Sequence, residues 1–199
     1  MFEKRWLKEG SKTKITNFIK EIAETIPDQD LKLIENISKY ISSINPGLRD
    51  LKNIKFPDKR LRSATQLLKK HAIFSHKRCL ISGCIEVATI FRTLCIAKGI
   101  PAVFIETLRK EWIDSPPNKK NPTLIEGHVF VDVFIKNKWH TINPGSRNWL
   151  RDHKDYSISG KGSYLVIGKG RDSADLGFSN MKIFRKWVAK KFKKPHLLF

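Results

Sequence analysis

Three residues of this chain carry the side chains that a thiol-dependent enzyme needs. Cys84 opens an apolar helical pattern, His128 begins an alternating strand, and Asn143 ends the strand after that. The thiolate is the reactive form of cysteine, and the start of a helix favours that anion through the helix dipole. A histidine in contact takes the thiol proton, and an amide oxygen on its other nitrogen fixes the ring. The pattern therefore predicts Cys84 as nucleophile, His128 as base and Asn143 as orienting group, with the main-chain N–H of Cys84 as oxyanion donor.

The cysteines are too few for a disulfide framework and too irregularly spaced for a zinc site. Cys79, Cys84 and Cys95 are an odd number without a CxxC pair, which is typical of a reducing compartment. Cys79 lacks the position at the start of a helix. Cys95 lies about 16 Å further along the helix than Cys84, so we predict a small buried apolar side chain there. No metal or other cofactor is predicted.

Residues beside the predicted triad leave other roles open. His140 is expected to face away from the neighbours of Asn143. Asp132 shares a strand face with His128, so it is either a substitute orienting group or a polar residue at the rim. Trp139 is predicted to be a core residue that shields the triad.

Helical spacing of apolar residues dominates the first half of the chain, and strand alternation dominates the second. Two helices end at prolines, a third has Leu61 on its apolar face, and the helix of Cys84 ends at Gly99 as a left-handed cap. A loop is predicted over 111–123, and Asn137 is placed in a hairpin turn. Strands are predicted over 102–108, 128–135, 139–143 and 163–167. Helices followed by strands indicate an α+β fold, with an antiparallel sheet and the helices on one side.

The composition indicates one packed domain with a strong positive charge. The chain has 199 residues, of which 40% are hydrophobic, and a formal net charge of +20. No apolar stretch is long enough for a membrane span, and the first residues do not resemble a signal peptide, so we expect a cytoplasmic protein. The charge predicts attraction to a polyanion, which is nucleic acid, an anionic membrane or an acidic protein, or it merely reflects biased composition.

The last segment, residues 181–199, is a basic amphipathic helix by its pattern. It holds seven Lys or Arg residues and no acidic residue, with apolar side chains at helical spacing. Such a helix binds a membrane or nucleic acid, or docks its apolar stripe on the core, and we favour the docked arrangement. Asp172 and Asp175 are expected to cap a turn before this helix rather than to hold a metal.

The order of these elements resembles the transglutaminase-like superfamily of papain-type cysteine enzymes. The matching elements are the helix from Cys84 to the Gly-Ile-Pro-Ala segment 99–102, the strand from His128, and the strand from Trp139 to Asn143 and Pro144. The resemblance covers roughly residues 60–170 and implies a papain-like fold with a Cys-His-acid triad. It also implies acyl transfer at amides: protein cross-linking, peptide hydrolysis or deglycosylation of asparagine-linked glycans. Asn143 stands at the position where this superfamily has Asp. Papain-type enzymes use an Asn in the same role.

The sequence thus predicts a helical extension over 1–57, a transglutaminase-like core over 58–178 and a basic helix over 179–199. The predicted function is acyl transfer or hydrolysis at a protein or peptide amide through a thioester, with hydrolysis favoured because no calcium-site or amine-site feature is visible. The alternative is an inactive binding module of the same fold, whose basic surface engages nucleic acid or another polyanion.

Overall fold

Helices come first and strands second along the chain, as the two spacings of apolar residues predict. The computed structural model describes residues 3–27, 31–44, 58, 60–73, 83–144, 156–158 and 162–198. Its helices are α1 (Asn17–Thr25), α2 (Leu31–Ile44), α3 (Ala64–Ile73), α4 (Cys84–Ala97), α5 (Lys110–Asp114) and α6 (Met181–Lys191), with 3-10 helices at Glu3–Leu7 and Pro195–Leu198. Its strands are β1 (Ala102–Arg109), β2 (Gly127–Ile135), β3 (Lys138–Ile142) and β4 (Tyr164–Gly170).

The four strands form one antiparallel sheet in the order β3-β2-β1-β4. Strand β1 lies in the interior of the sheet and is buried along almost its whole length. The tight connection between β2 and β3 turns at Asn137, whose φ is +59°, as its place between two strand patterns predicts. The predicted α+β fold with an antiparallel sheet is confirmed.

Helix α4 is the central element of the core, because other elements cover it on all sides. Its residues 86–96 are all buried. Helices α1, α2 and α3 pack on one side of it, and strands β1 and β2 pack on the other. Val129, Val131 and Val133 of β2 face α4, whereas Phe130 belongs to an apolar cluster on the opposite face of the sheet. The alternation predicted for β2 is therefore confirmed, and so is the left-handed cap at Gly99, whose φ is +74°.

Two local predictions are wrong. Helix α3 begins at Ala64, so Leu61 precedes the helix, and 52% of its surface is exposed. The stretch predicted as a loop from residue 111 begins instead with the short helix α5. Trp112 of this helix packs into an apolar cluster with α6 and donates its Nε1–H to the Leu124 carbonyl oxygen over 3.1 Å. Long-range packing of one tryptophan thus orders a segment that its three prolines mark as irregular.

Helix α6 docks its apolar stripe on the body of the protein. Phe184, Val188 and Ala189 are buried, while the lysines of the helix are exposed. Asn180 caps the first turn, because its Oδ1 accepts the N–H of Ile183 over 2.9 Å. The docked arrangement is therefore confirmed. Within the part of the chain that the structure describes, none of the helices is long and apolar enough to cross a membrane.

A turn precedes α6, and Asp172 organises it. Its Oδ1 accepts the N–H groups of Ala174 and Asp175, each over 2.9 Å, and its Oδ2 accepts the N–H of Lys12 over 2.7 Å. The hydrogen bond from Arg171 lowers the pKa of Asp175. Both carboxylates are thus engaged in the turn, as predicted, although α6 itself starts later. The division of the chain at residues 57 and 178 stays a prediction.

Arg92 is a buried cation of α4 that fastens the N-terminal segment to the core. Its Nε donates to the carbonyl oxygen of Ala102 over 2.9 Å, and its Nη1 donates to Oγ1 of Thr13 over 2.8 Å. Its Nη2 donates to the carbonyl oxygens of Trp6 and Lys8, over 3.2 and 2.9 Å. Burial lowers the pKa of Arg92 to about 10. Four acceptors from distant parts of the chain therefore replace the water that this guanidinium loses.

We expect Arg92→Met to lower the free energy of unfolding by about 3 kcal/mol, because it removes charged donors from these acceptors. Urea denaturation followed by circular dichroism measures the change. Arg109→Met is the matched control, since the ion pairs of Arg109 with Glu111 and Glu126 are exposed to solvent and contribute little to stability. Equal losses in the two variants would contradict the anchoring role of Arg92.

Candidate active site

One cavity of about 470 Å³ adjoins both the start of α4 and the start of β2. Cys84 lines it together with Gly83 and Ile85, and His128 lines it from the first residues of β2. The remaining walls come from the segment before β2, from the first turns of α6, and from Asp58, Arg60 and Glu106. Two of the three residues predicted for the site therefore face the same space.

His128 and Asn143 are hydrogen-bonded to each other. The distance between His128 Nε2 and Asn143 Oδ1 is 2.8 Å, and Asn143 is 5% exposed. The two residues come from neighbouring strands in which Val131 pairs with Ile142, so their side chains lie on the same face of the sheet, diagonally opposed. An amide oxygen only accepts hydrogen bonds. Nε2 of His128 therefore carries the proton of this bond, and Nδ1 carries the ring's basic lone pair.

Aromatic rings pack beside His128. The ring of Phe130 meets it edge-on with 4.9 Å between centroids, and the ring of Tyr164 lies at 6.0 Å. Burial raises the pKa of Tyr164, and the charge of Arg109 acts against this rise.

Cys84 is the first residue of α4, and its side chain is partly buried. The N–H groups of Glu86 and Val87 both bond to the carbonyl oxygen of Gly83, each over 3.1 Å, so the helix is formed from its first turn. The main-chain N–H of Cys84 belongs to that turn, whose first N–H groups have no acceptor within a helix. The positive end of the helix dipole thus lies beside the sulfur and favours its thiolate.

The competing residues Cys95 and His140 lie elsewhere. Cys95 is fully buried, and burial raises the pKa of its thiol far above the usual range, as expected for a buried apolar side chain. Cys79 lies outside the described residues. His140 pairs with Val133 and is three residues from Asn143 along β3, so the two side chains point to opposite faces of the sheet.

Asp132 does not orient His128. Its carboxylate accepts hydrogen bonds from Thr141 Oγ1 over 2.7 Å, Tyr156 OH over 3.0 Å and Lys169 Nζ over 3.3 Å. All three partners lie away from the cavity that holds Cys84. Of the two roles left open for Asp132, the orienting role is therefore wrong, and the residue is the centre of a separate polar cluster.

Trp139 does not shield the triad, contrary to the prediction. It pairs with Phe134 at the hairpin end of the sheet, with 5.2 Å between ring centroids. Phe134 is six residues along β2 from His128, a distance of about 20 Å at the rise of a strand. The aromatic cover of the imidazole comes from Phe130 and Tyr164 instead.

A buried ion pair that sequence reasoning missed forms one wall of the cavity. Arg60 donates through Nη1 and Nη2 to Oε2 and Oε1 of Glu106, over 3.0 and 2.7 Å, and the two residues are 1% and 3% exposed. The guanidinium also stacks on Phe184 of α6, 3.8 Å from the ring centroid. The available signal was an acidic residue in the middle of the apolar run 102–108, which is expensive to bury without a partner.

A second buried pair lies beside the nucleophile position. Arg62 donates its Nε–H to Oε1 of Glu86 over 2.8 Å, and both side chains are buried. Glu86 is in the first turn of α4, two residues after Cys84, where a negative charge also complements the helix dipole. Residues 60–62 are thus tied to both β1 and α4, and these ties hold the start of α4 against the sheet.

Among the residues that the structure describes, no three His, Cys, Asp or Glu side chains are grouped so as to hold a metal ion.

Comparison with known proteins shows a shared fold and no more. The chain is similar to a crystal structure from Cytophaga hutchinsonii named "Putative Cysteine Protease", with a TM-score of 0.54 and 15% identity over 87% of this chain and 48% of that one. This chain thus spans about half the length of that protein. No protein-family model and no curated protein sequence matches it. The shared fold agrees with the predicted papain-like α+β architecture, whereas membership of the transglutaminase-like superfamily stays a prediction.

Proposed function

We propose that this protein hydrolyses an amide bond of a peptide or protein through a thioester at Cys84. The observation that carries the proposal is the 2.8 Å hydrogen bond that Asn143 accepts from His128, which lines the same cavity as Cys84. The likeness in fold to a protein named as a cysteine protease supports the same class of chemistry.

In the first half of the reaction, His128 Nδ1 takes the proton of the Cys84 thiol and the sulfur attacks the amide carbonyl carbon. A C–S bond forms, and the carbonyl π electrons move to oxygen. When the oxyanion collapses, the C–N bond breaks, and the imidazolium returns the proton to the departing amine. Asn143 keeps the ring orientation through both transfers, because its oxygen accepts the Nε2–H in either protonation state.

In the second half, water enters the cavity, and His128 takes a proton from it as it attacks the thioester carbon. The new C–O bond replaces the C–S bond, the acid leaves, and the Cys84 sulfur regains a proton from the ring. In both halves the negative oxygen is stabilised by the main-chain N–H of Cys84 and the dipole of α4. An amine in place of water would give cross-linking; hydrolysis is proposed because the sequence offers no amine-site feature.

Selective alkylation tests the thiolate on which this mechanism depends. At neutral pH we expect iodoacetamide to modify Cys84 about tenfold faster than a cysteine in a short unstructured peptide, because the proposed base His128 and the dipole of α4 favour the thiolate of Cys84. His128→Ala should remove most of that advantage. The modified site is read by peptide mass spectrometry, with the buried Cys95 as an internal thiol that stays unmodified in the folded protein.

Equal rates for Cys84 and the reference peptide, unchanged in His128→Ala, would overturn the proposed function. His140→Ala is the matched control, because His140 lies on the opposite face of the sheet from Asn143. The alkylation rate of Cys84 in His140→Ala should equal the rate in the wild-type protein.

A further inference from the structure

Helix α6 contributes a charged side chain to the cavity that the proposed mechanism leaves unused. Arg185 lines the same cavity as Cys84 and His128, and it lies in the second turn of α6. Its Nε is enclosed by protein atoms and has no hydrogen-bond partner. Arg185 forms no hydrogen bond or ion pair with any residue that the structure describes. Because Arg185 has no partner among the described residues, the donors of its Nη groups are left for an acceptor that enters the cavity.

The other charged side chains of the cavity already have partners within the chain. Arg60 and Glu106 neutralise each other in a bidentate pair. The Asp58 carboxylate accepts the main-chain N–H of Arg60 over 2.9 Å and that of Met181 over 2.6 Å. Arg185 is therefore the charged side chain of the lining that has no partner among the described residues.

The chemistry of Arg185 selects a carboxylate as that ligand. A guanidinium is planar, always charged at neutral pH, and presents paired N–H donors that fit both oxygens of a carboxylate. Apolar side chains also line the cavity, among them Leu124 and Ile125 before β2 and Phe184 on α6. A short aliphatic chain that ends in a carboxylate, such as the side chain of glutamate, matches this combination of surfaces.

The surface of α6 favours the approach of an acidic peptide. Lys182, Lys186, Lys190 and Lys191 are exposed on the same helix, and the segment 181–199 contains no acidic residue. A cluster of positive charges beside a cleft raises the local concentration of a negatively charged ligand. The overall charge of +20 also favours binding of a negatively charged ligand.

We infer that Arg185 is a specificity-determining residue, which binds the carboxylate of an acidic side chain in a peptide substrate while Cys84 attacks a neighbouring amide. The inference rests on the proposed function of Cys84. It narrows the substrate class to acidic peptides and assigns to α6 a part of the substrate site.

A pair of alkylating reagents tests the inference at the site itself. Iodoacetate carries a carboxylate where iodoacetamide carries a neutral amide, and both reagents alkylate cysteine thiolates such as that of Cys84. We expect Arg185→Gln to lower the ratio of the iodoacetate rate to the iodoacetamide rate about threefold to tenfold, because the local charge that attracts the carboxylate is lost. Arg185→Lys keeps the charge and should largely keep the ratio. Lys186→Gln removes one charge from the next, exposed position and should leave the ratio unchanged.

If the ratio of the two alkylation rates stays constant in Arg185→Gln, the inference is overturned. An equal fall of that ratio in Lys186→Gln also overturns it, because the effect would then come from the overall positive charge of the surface. The ratio is independent of how reactive the thiol is. Failure of the proposed function appears instead in the absolute iodoacetamide rate and its indifference to His128→Ala.

Peptide binding tests whether the carboxylate belongs to a peptide. In Cys84→Ala, which cannot form a thioester, isothermal calorimetry compares capped hexapeptides that carry Glu or Gln at one position in turn. At one position we expect the Glu peptide to bind about tenfold more tightly, as one charge-assisted pair allows, and Arg185→Gln in the same background should abolish the difference. Equal affinities at every position would overturn the assignment of an acidic peptide substrate.

Discussion

His128→Ala is expected to slow the acetylation of Cys84 by p-nitrophenyl acetate about 10²-fold to 10⁴-fold. The ester carries a good leaving group, so its reaction reports on the sulfur and its base without knowledge of the natural substrate. Loss of a positioned general base removes a factor of this size from the rate. Release of p-nitrophenolate, followed by absorbance, gives the rate, and mass spectrometry of the trapped thioester locates the acetyl group on Cys84.

The variants around this measurement separate the roles in the triad. Cys84→Ala should reduce the rate to that of the ester in buffer. Asn143→Ala should cost less than His128→Ala, about 10-fold to 10²-fold, because the imidazole remains and only its orientation is loosened. His140→Ala should match the unmodified protein. A full burst in His128→Ala, or acetylation at Cys95 in place of Cys84, would contradict the assignment.

Glu106→Leu is expected to lower the free energy of unfolding by about 3–5 kcal/mol. The substitution leaves the Arg60 guanidinium buried without its counter-charge, and an unpaired buried charge costs about this much. Its contact with the Phe184 ring cannot replace two charge-assisted hydrogen bonds. Equilibrium unfolding in urea, with the m-value checked for two-state behaviour, gives the change.

Two comparisons show whether burial of the pair is responsible. Arg60→Met combined with Glu106→Leu should recover most of the loss, since the double variant leaves no charge behind. Glu126→Leu breaks the ion pair with Arg109, which is more than one-third exposed on both sides, and should cost less than about 1 kcal/mol. A similar small loss in Glu106→Leu would mean that water reaches Arg60 from the cavity.

The sequence determined the parts of this protein that follow from local periodicity. The alternation of β2 places His128, Phe130 and Asp132 on one face and three valines on the other, because successive side chains of a strand point to opposite sides. Apolar residues at helical spacing define α4, and Gly99 supplies the left-handed residue that ends it. From such patterns the position of Cys84 at a helix start and the antiparallel α+β arrangement could both be predicted.

Local patterns say nothing about which faces of distant elements meet, and the errors about residues near the site arose there. The large apolar side chain of Trp139 is of the kind that shields a buried site. The register of the hairpin, however, pairs Trp139 with Phe134, at the end of β2 that is far from His128. Asp132 shares the face of His128, but Thr141, Tyr156 and Lys169 converge on its carboxylate instead. In both cases the strand register and the long-range packing determine which residues the side chain contacts.

The charged lining of the cavity could be identified only from the tertiary structure. Arg60 and Glu106 are 46 residues apart in sequence, and Arg185 follows His128 by more than fifty, so no spacing rule connects them. An acidic residue in an apolar strand indicates that a partner must exist, because burial of an unpaired charge is prohibitive, but it does not identify the partner. That choice depends on how α6 docks and on the packing of Arg60 against β1. The sequence by itself thus determined the fold class and the helix and strands that carry the candidate site residues, whereas packing between distant elements decided which charges surround them.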